Sequence, residues 1–121
     1  MIVVEKNVGE KIEYEVNGTK VCFDDDLTIN LKKREEDWPV HIDVCYDGDE
    51  NLVIGTAAGR AYVAEIDIPA RRYERVPDED YMIPYGDGSG GDGTIDGEEH
   101  YKTVPVPLDM DTVTLTLWAI D

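Results

Sequence analysis

Apolar residues recur at every second position along much of the chain, the period of a strand with one buried face. An opening strand is predicted at Ile2–Glu5. Ile12, Tyr14 and Val16 then alternate with Lys11, Glu13 and Glu15, and Asn17-Gly18 follows at once. Asn-Gly between alternating runs predicts a hairpin, because a type I′ turn needs positive φ at both central residues. The implied register sets Val16 opposite Thr19, Tyr14 opposite Val21 and Ile12 opposite Phe23, with the apolar side chains on one face. Asp24-Asp25-Asp26 reads as a turn or bulge. Leu27, Ile29 and Leu31 make the next face, broken by Glu35-Glu36-Asp37. Val40, Ile42, Val44 and Tyr46 form another, against His41, Asp43 and Cys45. Strands are predicted at 52–56 and 61–68, turning near Ala58-Gly59 and stopping at Pro69, which cannot donate to a central ladder. Near the end, Val113, Leu115, Leu117 and Ala119 alternate with threonines and Trp118 and predict a strand paired deep in a sheet.

Between residues 70 and 111 the period is lost. Short strands are predicted at 81–85 and 101–106, the second along an edge that Pro105 and Pro107 would blunt. Between them, residues 86–97 are half glycine, which predicts a long flexible Asp/Gly-rich loop. No stretch has a sustained helical period. The pattern therefore predicts one all-β domain over residues 1–121. Its expected architecture is an antiparallel β-sandwich or a partly closed Greek-key-like barrel of about seven to nine short strands.

Charge sets the expected partners. Among 121 residues, 28 carboxylates face 11 bases, for a formal net charge of −17. Such a surface repels nucleic acid and anionic membranes and favours basic partners. The basic clusters Lys32-Lys33-Arg34 and Arg71-Arg72-Tyr73-Glu74-Arg75 are too few to reverse this and are read as offsets to local acid or as pairing across a subunit contact. Ile2-Val3-Val4 is too short for the apolar region of a signal peptide, and no apolar run reaches the length of a membrane span. Cys22 and Cys45 lack metal-ligand or redox spacing, so a cytoplasmic protein with two free thiols is expected.

Three patterns bear on chemistry. His41, Asp43 and Cys45 share one side of a strand, but at about 3.3 Å per residue His41 and Cys45 lie roughly 13 Å apart, too far for a nucleophile–base pair. Another strand would have to supply a partner. Asp92, Gly93, Ile95, Asp96 and Glu99 resemble the second half of an EF-hand calcium loop, with an oxygen ligand before an obligatory glycine and a closing Glu. That resemblance implies Ca2+ held by Asp92, Asp96 and Glu99. Gly88 and Gly90 stand where the first half needs oxygen ligands, and Pro84, Pro105 and Pro107 deny the flanking helices. Finally, Tyr73, Tyr81, Tyr85 and Tyr101 offer large amphipathic anchors of the kind enriched at interfaces.

No nucleophilic, phosphate-cradling or zinc-hydrolase motif is present, so no enzyme and no cofactor is expected. The expected function is that of a non-catalytic acidic binding or assembly module, acting by protein–protein contact with a basic partner or by self-association. The alternatives are a calcium-binding protein using residues 92–99, or an acidic mimic of nucleic acid. The mimic would draw on Asp24-Asp25-Asp26, Asp47/Asp49/Glu50 and Asp78-Glu79-Asp80.

Overall fold

The computed structural model describes residues 1–78 and 100–121. These form ten strands: β1 Ile2–Glu5, β2 Tyr14–Asn17, β3 Lys20–Phe23, β4 Leu27–Asn30, β5 Val40–Tyr46, β6 Leu52–Ile54, β7 Ala61–Ile68, β8 Tyr73–Pro77, β9 Tyr101–Pro105 and β10 Thr114–Leu117. One helical turn, α1 at Leu31–Arg34, and a 3-10 turn at Met110–Thr112 complete them. The chain divides into two compact units, Met1–Arg72 with Pro107–Asp121, and Tyr73–Val106. The predicted strand at 81–85 and loop at 86–97 lie outside the described residues.

The larger unit contains two sheets. The first has the order β1-β10-β7-β5-β6 and the second β2-β3-β4. Neither closes on itself. All pairings are antiparallel except one: β1 runs parallel to β10, with Ile2 beside Thr114 and Glu5 beside Leu117. The purely antiparallel expectation is corrected here. These strands lie at opposite ends of the sequence, so no tight turn dictates their direction. β10 lies between β1 and β7, the interior position that its alternation predicted.

One hydrophobic cluster draws on both sheets. Val21, Phe23, Ile29 and Leu31 from the smaller sheet and its α1 turn join Ile42, Val44, Ile66, Ile68, Leu115 and Leu117 from the larger one. Along β3, β5 and β10 the contributing residues are every second one, as expected of a pleated surface with one face in the core, while β7 adds the adjacent Val63 and Ala64 to Ile66 and Ile68. At about 25 cal/mol per Å2 of apolar surface removed from water, this burial is the main favourable contribution to folding.

The first hairpin keeps its predicted faces but not its predicted register. Val16 pairs with Val21 and Tyr14 with Phe23, because Gly18 and Thr19, rather than Asn17 and Gly18, form the two-residue loop. Gly18 carries φ +64°. Positive φ at the first central residue alone is the type II′ pattern. Thr19 explains the choice. Its carbonyl accepts from the Leu31 amide at 2.9 Å, and its hydroxyl donates to Asn30 Oδ1 at 3.2 Å. Asn30 in turn caps α1 by accepting from the Lys32 amide at 3.2 Å. That cap also ends β4 one residue before Leu31, which was expected to lie in the strand. A shift of two in partner leaves every side chain on its own face, whereas a shift of one would have inverted them.

The smaller unit shows β8 paired antiparallel with β9, from Tyr73 opposite Pro105 to Pro77 opposite Tyr101. Sequence periodicity anticipated β9 but not β8, whose alternation is obscured by Glu74, Arg75 and Pro77. Tyr101 also packs against the Arg75 guanidinium, 4.4 Å from its ring centre.

Glu35 is the one buried charged side chain among the described residues. Arg71 meets it, with Nε 3.5 Å from Glu35 Oε1, and its guanidinium also donates to the Glu35 carbonyl at 2.8 Å and to Asp37 at 2.9 Å. A basic cluster read as an offset to local acid thus contributes one clamp that ties the chain after β7 to the segment before β5. Removing one partner of a buried pair strands the other charge. Arg71→Ala is therefore expected to lower the unfolding free energy by about 2 kcal/mol in urea titrations. Arg72→Ala, next to it, should change it by less than about 0.5 kcal/mol.

Candidate functional site

The outer face of the larger sheet carries a cluster of polar side chains built by the β5–β7 pairing. His41 lies opposite Asp67, and Asp43 opposite Glu65. His41 and Asp43 alternate with Ile42 and Val44, while Glu65 and Asp67 alternate with Ile66 and Ile68, so both polar pairs face away from the core. The partner that His41 lacks within its own strand is supplied by β7.

His41 sits among three carboxylates. Its Nδ1 is 2.6 Å from Asp67 Oδ1. Its Nε2 is 2.9 Å from Asp43 Oδ1 and 3.3 Å from Glu65 Oε1. One aromatic residue orients an acid: Trp118 Nε1 donates to Glu65 Oε2 at 2.6 Å. Tyr62 and Trp118 stack on each other at 4.9 Å between ring centres, and the Lys6 ammonium lies 5.5 Å from the Trp118 ring centre. The hydrogen bond to Asp67 and then that to Asp43, against some desolvation, hold the His41 pKa above its ordinary 6.5. Burial, then Asp43 and Glu65, push the Tyr62 hydroxyl up as well.

A break in the ladder places Cys45 beside this cluster. Val44 pairs with Ala64 but Cys45 with Tyr62, so β7 carries one extra residue, Val63. Cys45 is buried even though alternation puts it on the same side of β5 as His41 and Asp43. It is covered by the turn after β6: a side chain at Gly59 would place its first carbon 2.8 Å from Cys45 Cβ. Burial and the nearby acids Asp43 and Glu65 raise the thiol's pKa, which keeps it protonated and unreactive. Cys22 and Cys45 are free thiols.

Two clefts adjoin the sheets. One of about 220 Å3 on the smaller sheet is lined by Glu13, Tyr14, Glu15, Cys22, Asp24 and Asp25, four carboxylates with no base among them. The other, about 210 Å3, lies between Pro39, Val40, Ile68, Pro69 and Thr112 and reaches the Asp67 side of His41.

Of the residues singled out from sequence, Asp92, Asp96, Glu99, Tyr81 and Tyr85 lie outside the described residues. Tyr73 and Tyr101 share one face of the β8–β9 ribbon at its opposite ends, half exposed. Glu65 and Asp67 were missed altogether. Their signal was the alternation of acids with Ile66 and Ile68, but only the strand order brings it to His41.

The chain matches no protein family, no curated protein and no solved structure. Among the described residues no helix is long and apolar enough to cross a membrane.

The His41 cluster makes stability depend on pH. A folded pKa above the unfolded one means that the protonated form is preferred in the folded state. The resulting stabilisation is full below about pH 6.5 and is lost as pH rises through the raised folded value. With its side chain 45% exposed, His41 is screened and the effect is modest. In the presence of a chelator, the melting temperature of the protein should exceed that of His41→Gln most at pH 5.5–6. The difference should shrink towards pH 9.

Proposed function

We propose that the two sheets of the larger unit form an open β-sandwich scaffold, and that the protein is a non-catalytic acidic module that binds a basic segment of another protein. The observation that carries this reading is the cleft on β2 and β3, with Glu13, Glu15, Asp24 and Asp25 around Tyr14. Four like charges around one cleft repel each other and favour a Lys or Arg side chain entering from outside. The net charge of −17 would speed its approach.

The turn that bears two of these acids supports the same reading. Asp24 and Asp25 have φ of +54° and +51°, and the Asp26 amide donates to the Phe23 carbonyl at 2.9 Å. Two successive left-handed residues form a type I′ turn, for which Asn-Gly is the favoured pair. Asp at both positions gives up backbone stability and keeps two charges at the cleft.

The experiment exploits that conflict. Asp24→Asn with Asp25→Gly should raise stability by about 0.5–1 kcal/mol. The same change should weaken binding of an alternating Lys-Val peptide at least fivefold. In the unaltered protein the peptide should shift the amides of residues 22–25, and higher salt should weaken it. Equal affinity in the variant, or equal binding of a Glu-Val peptide, refutes the proposal.

A second contact is favoured by β1. It is an edge strand whose Ile2, Val3 and Val4 are 52%, 44% and 43% exposed. The Ile2 and Lys6 amides bond to Val113 and Leu117 of the β10 segment, so alternation directs those of Val3 and Glu5 outward. Such an edge can pair with a second copy of the chain. Concentration-dependent sedimentation that Val3→Pro abolishes would support self-association; a monomer at all concentrations would exclude it.

A further inference from the structure

We propose that His41, Asp43 and Glu65 bind one divalent transition-metal ion of the Zn2+ class, with Asp67 as the residue that positions His41. The site is separate from the acidic cleft on the smaller sheet and does not depend on the reading given for it.

The β5–β7 register sets Asp43 directly opposite Glu65. Like charges facing each other across a ladder are destabilising, and this pair is held rather than splayed apart. Trp118 Nε1 fixes Glu65 through its Oε2. Asp43 Oδ1 and Glu65 Oε1 turn towards His41 Nε2, at 2.9 and 3.3 Å. One nitrogen and two oxygen atoms, one from each of these side chains, all lie within 4.8 Å of one another. Zn–N and Zn–O bonds of about 2.0–2.2 Å at tetrahedral angles place ligand atoms about 3.3–3.6 Å apart. The Nε2 distances match that edge within a few tenths of an ångström, and side-chain rotation can supply the rest.

The surroundings are those of a metal-binding histidine. A ligating imidazole commonly donates its other N–H to a carboxylate, which fixes its tautomer. Asp67 at 2.6 Å from Nδ1 does this and leaves the Nε2 lone pair for the ion. Two of the three ligands thus have a partner outside the ligand set: Asp67 for His41 and Trp118 for Glu65. An acid cluster that merely gathers cations needs neither of these. The imidazole selects among metals, since Ca2+ and Mg2+ prefer oxygen ligands only, whereas Zn2+ and Co2+ accept mixed nitrogen and oxygen. Three protein ligands leave a fourth position for water. With Asp43 and Glu65 side chains only 22% and 21% exposed, the two charges are partly shielded from solvent.

Trp118 provides the readout. Trp38→Phe leaves it as the only tryptophan, and Co2+ bound beside Glu65 should quench its emission. Titration is expected to saturate at one ion per chain and to be reversed by Zn2+, while equal concentrations of Ca2+ and Mg2+ leave the quench in place. His41→Gln and Glu65→Gln, each checked for an intact amide spectrum, should each weaken Co2+ at least tenfold. His100→Gln should not. In the unaltered protein, Zn2+ should move the His41 Nε2 resonance more than that of Nδ1. Quenching that survives both His41→Gln and Glu65→Gln overturns the proposal. So does displacement of Co2+ by Ca2+ as readily as by Zn2+, or a Zn2+ titration that leaves the His41 imidazole unmoved; the last readout requires no variant to fold.

Discussion

The register between β5 and β7 is the constraint on which the larger unit depends. It aligns Ile42 with Ile66 and Val44 with Ala64 on the core side, and His41 with Asp67 and Asp43 with Glu65 on the other. A slip of one residue would turn one of the two strands over, burying either His41 and Asp43 or Glu65 and Asp67 and exposing that strand's apolar residues. The apolar face therefore fixes the polar face: the His41 cluster exists because the core has one acceptable alignment. The extra residue at Val63 then changes the phase. Beyond it, Cys45 meets Tyr62, and Tyr62 is brought beside Trp118. The Val63 carbonyl accepts from the Trp118 amide at 3.0 Å, which links the irregularity to the strand that carries the tryptophan.

Electrostatics pulls against this arrangement. A chain with 28 acids and 11 bases gains nothing from gathering three carboxylates on one patch unless a cation lies among them. His41 is that cation when protonated, and the raised pKa expresses its preference for the charged form. The proposed metal ion would serve the same electrostatic role with two charges instead of one. At the other sheet, the acids of the cleft have no internal counter-ion among the lining residues. That contrast separates the two proposals: one acid cluster has a built-in cationic centre, and the other invites one from a partner.

Much of the fold was legible in the chain. Alternation located β5, β7 and β10 closely, because each has a strictly apolar face. The first hairpin's faces were also legible. Its register was not, since the competing claim on Thr19 comes from Asn30 and Leu31, more than ten residues away. The parallel β1–β10 pair was invisible for the same reason: no local turn encodes it. β8 was hidden because an exposed ribbon needs no apolar face. For the His41 cluster, sequence showed that His41 and Asp43 share a side and that a second strand was needed. Which strand, and which acids on it, followed only from sheet order. The burial of Cys45 was not legible, because the turn that covers it closes through Gly59, where the absence of a side chain leaves no periodic signal.

The β5–β7 register is the claim from which the rest follows, and cross-strand nuclear Overhauser effects test it most directly. Paired residues of an antiparallel ladder bring their backbone protons close, as amide pairs or as Hα pairs. The account predicts contacts linking residue 41 to 67 and residue 43 to 65, with the alignment broken at Val63 so that 45 contacts 62. Contacts linking 41 to 66 or 68, or an unbroken ladder from 41 through 45, would contradict it.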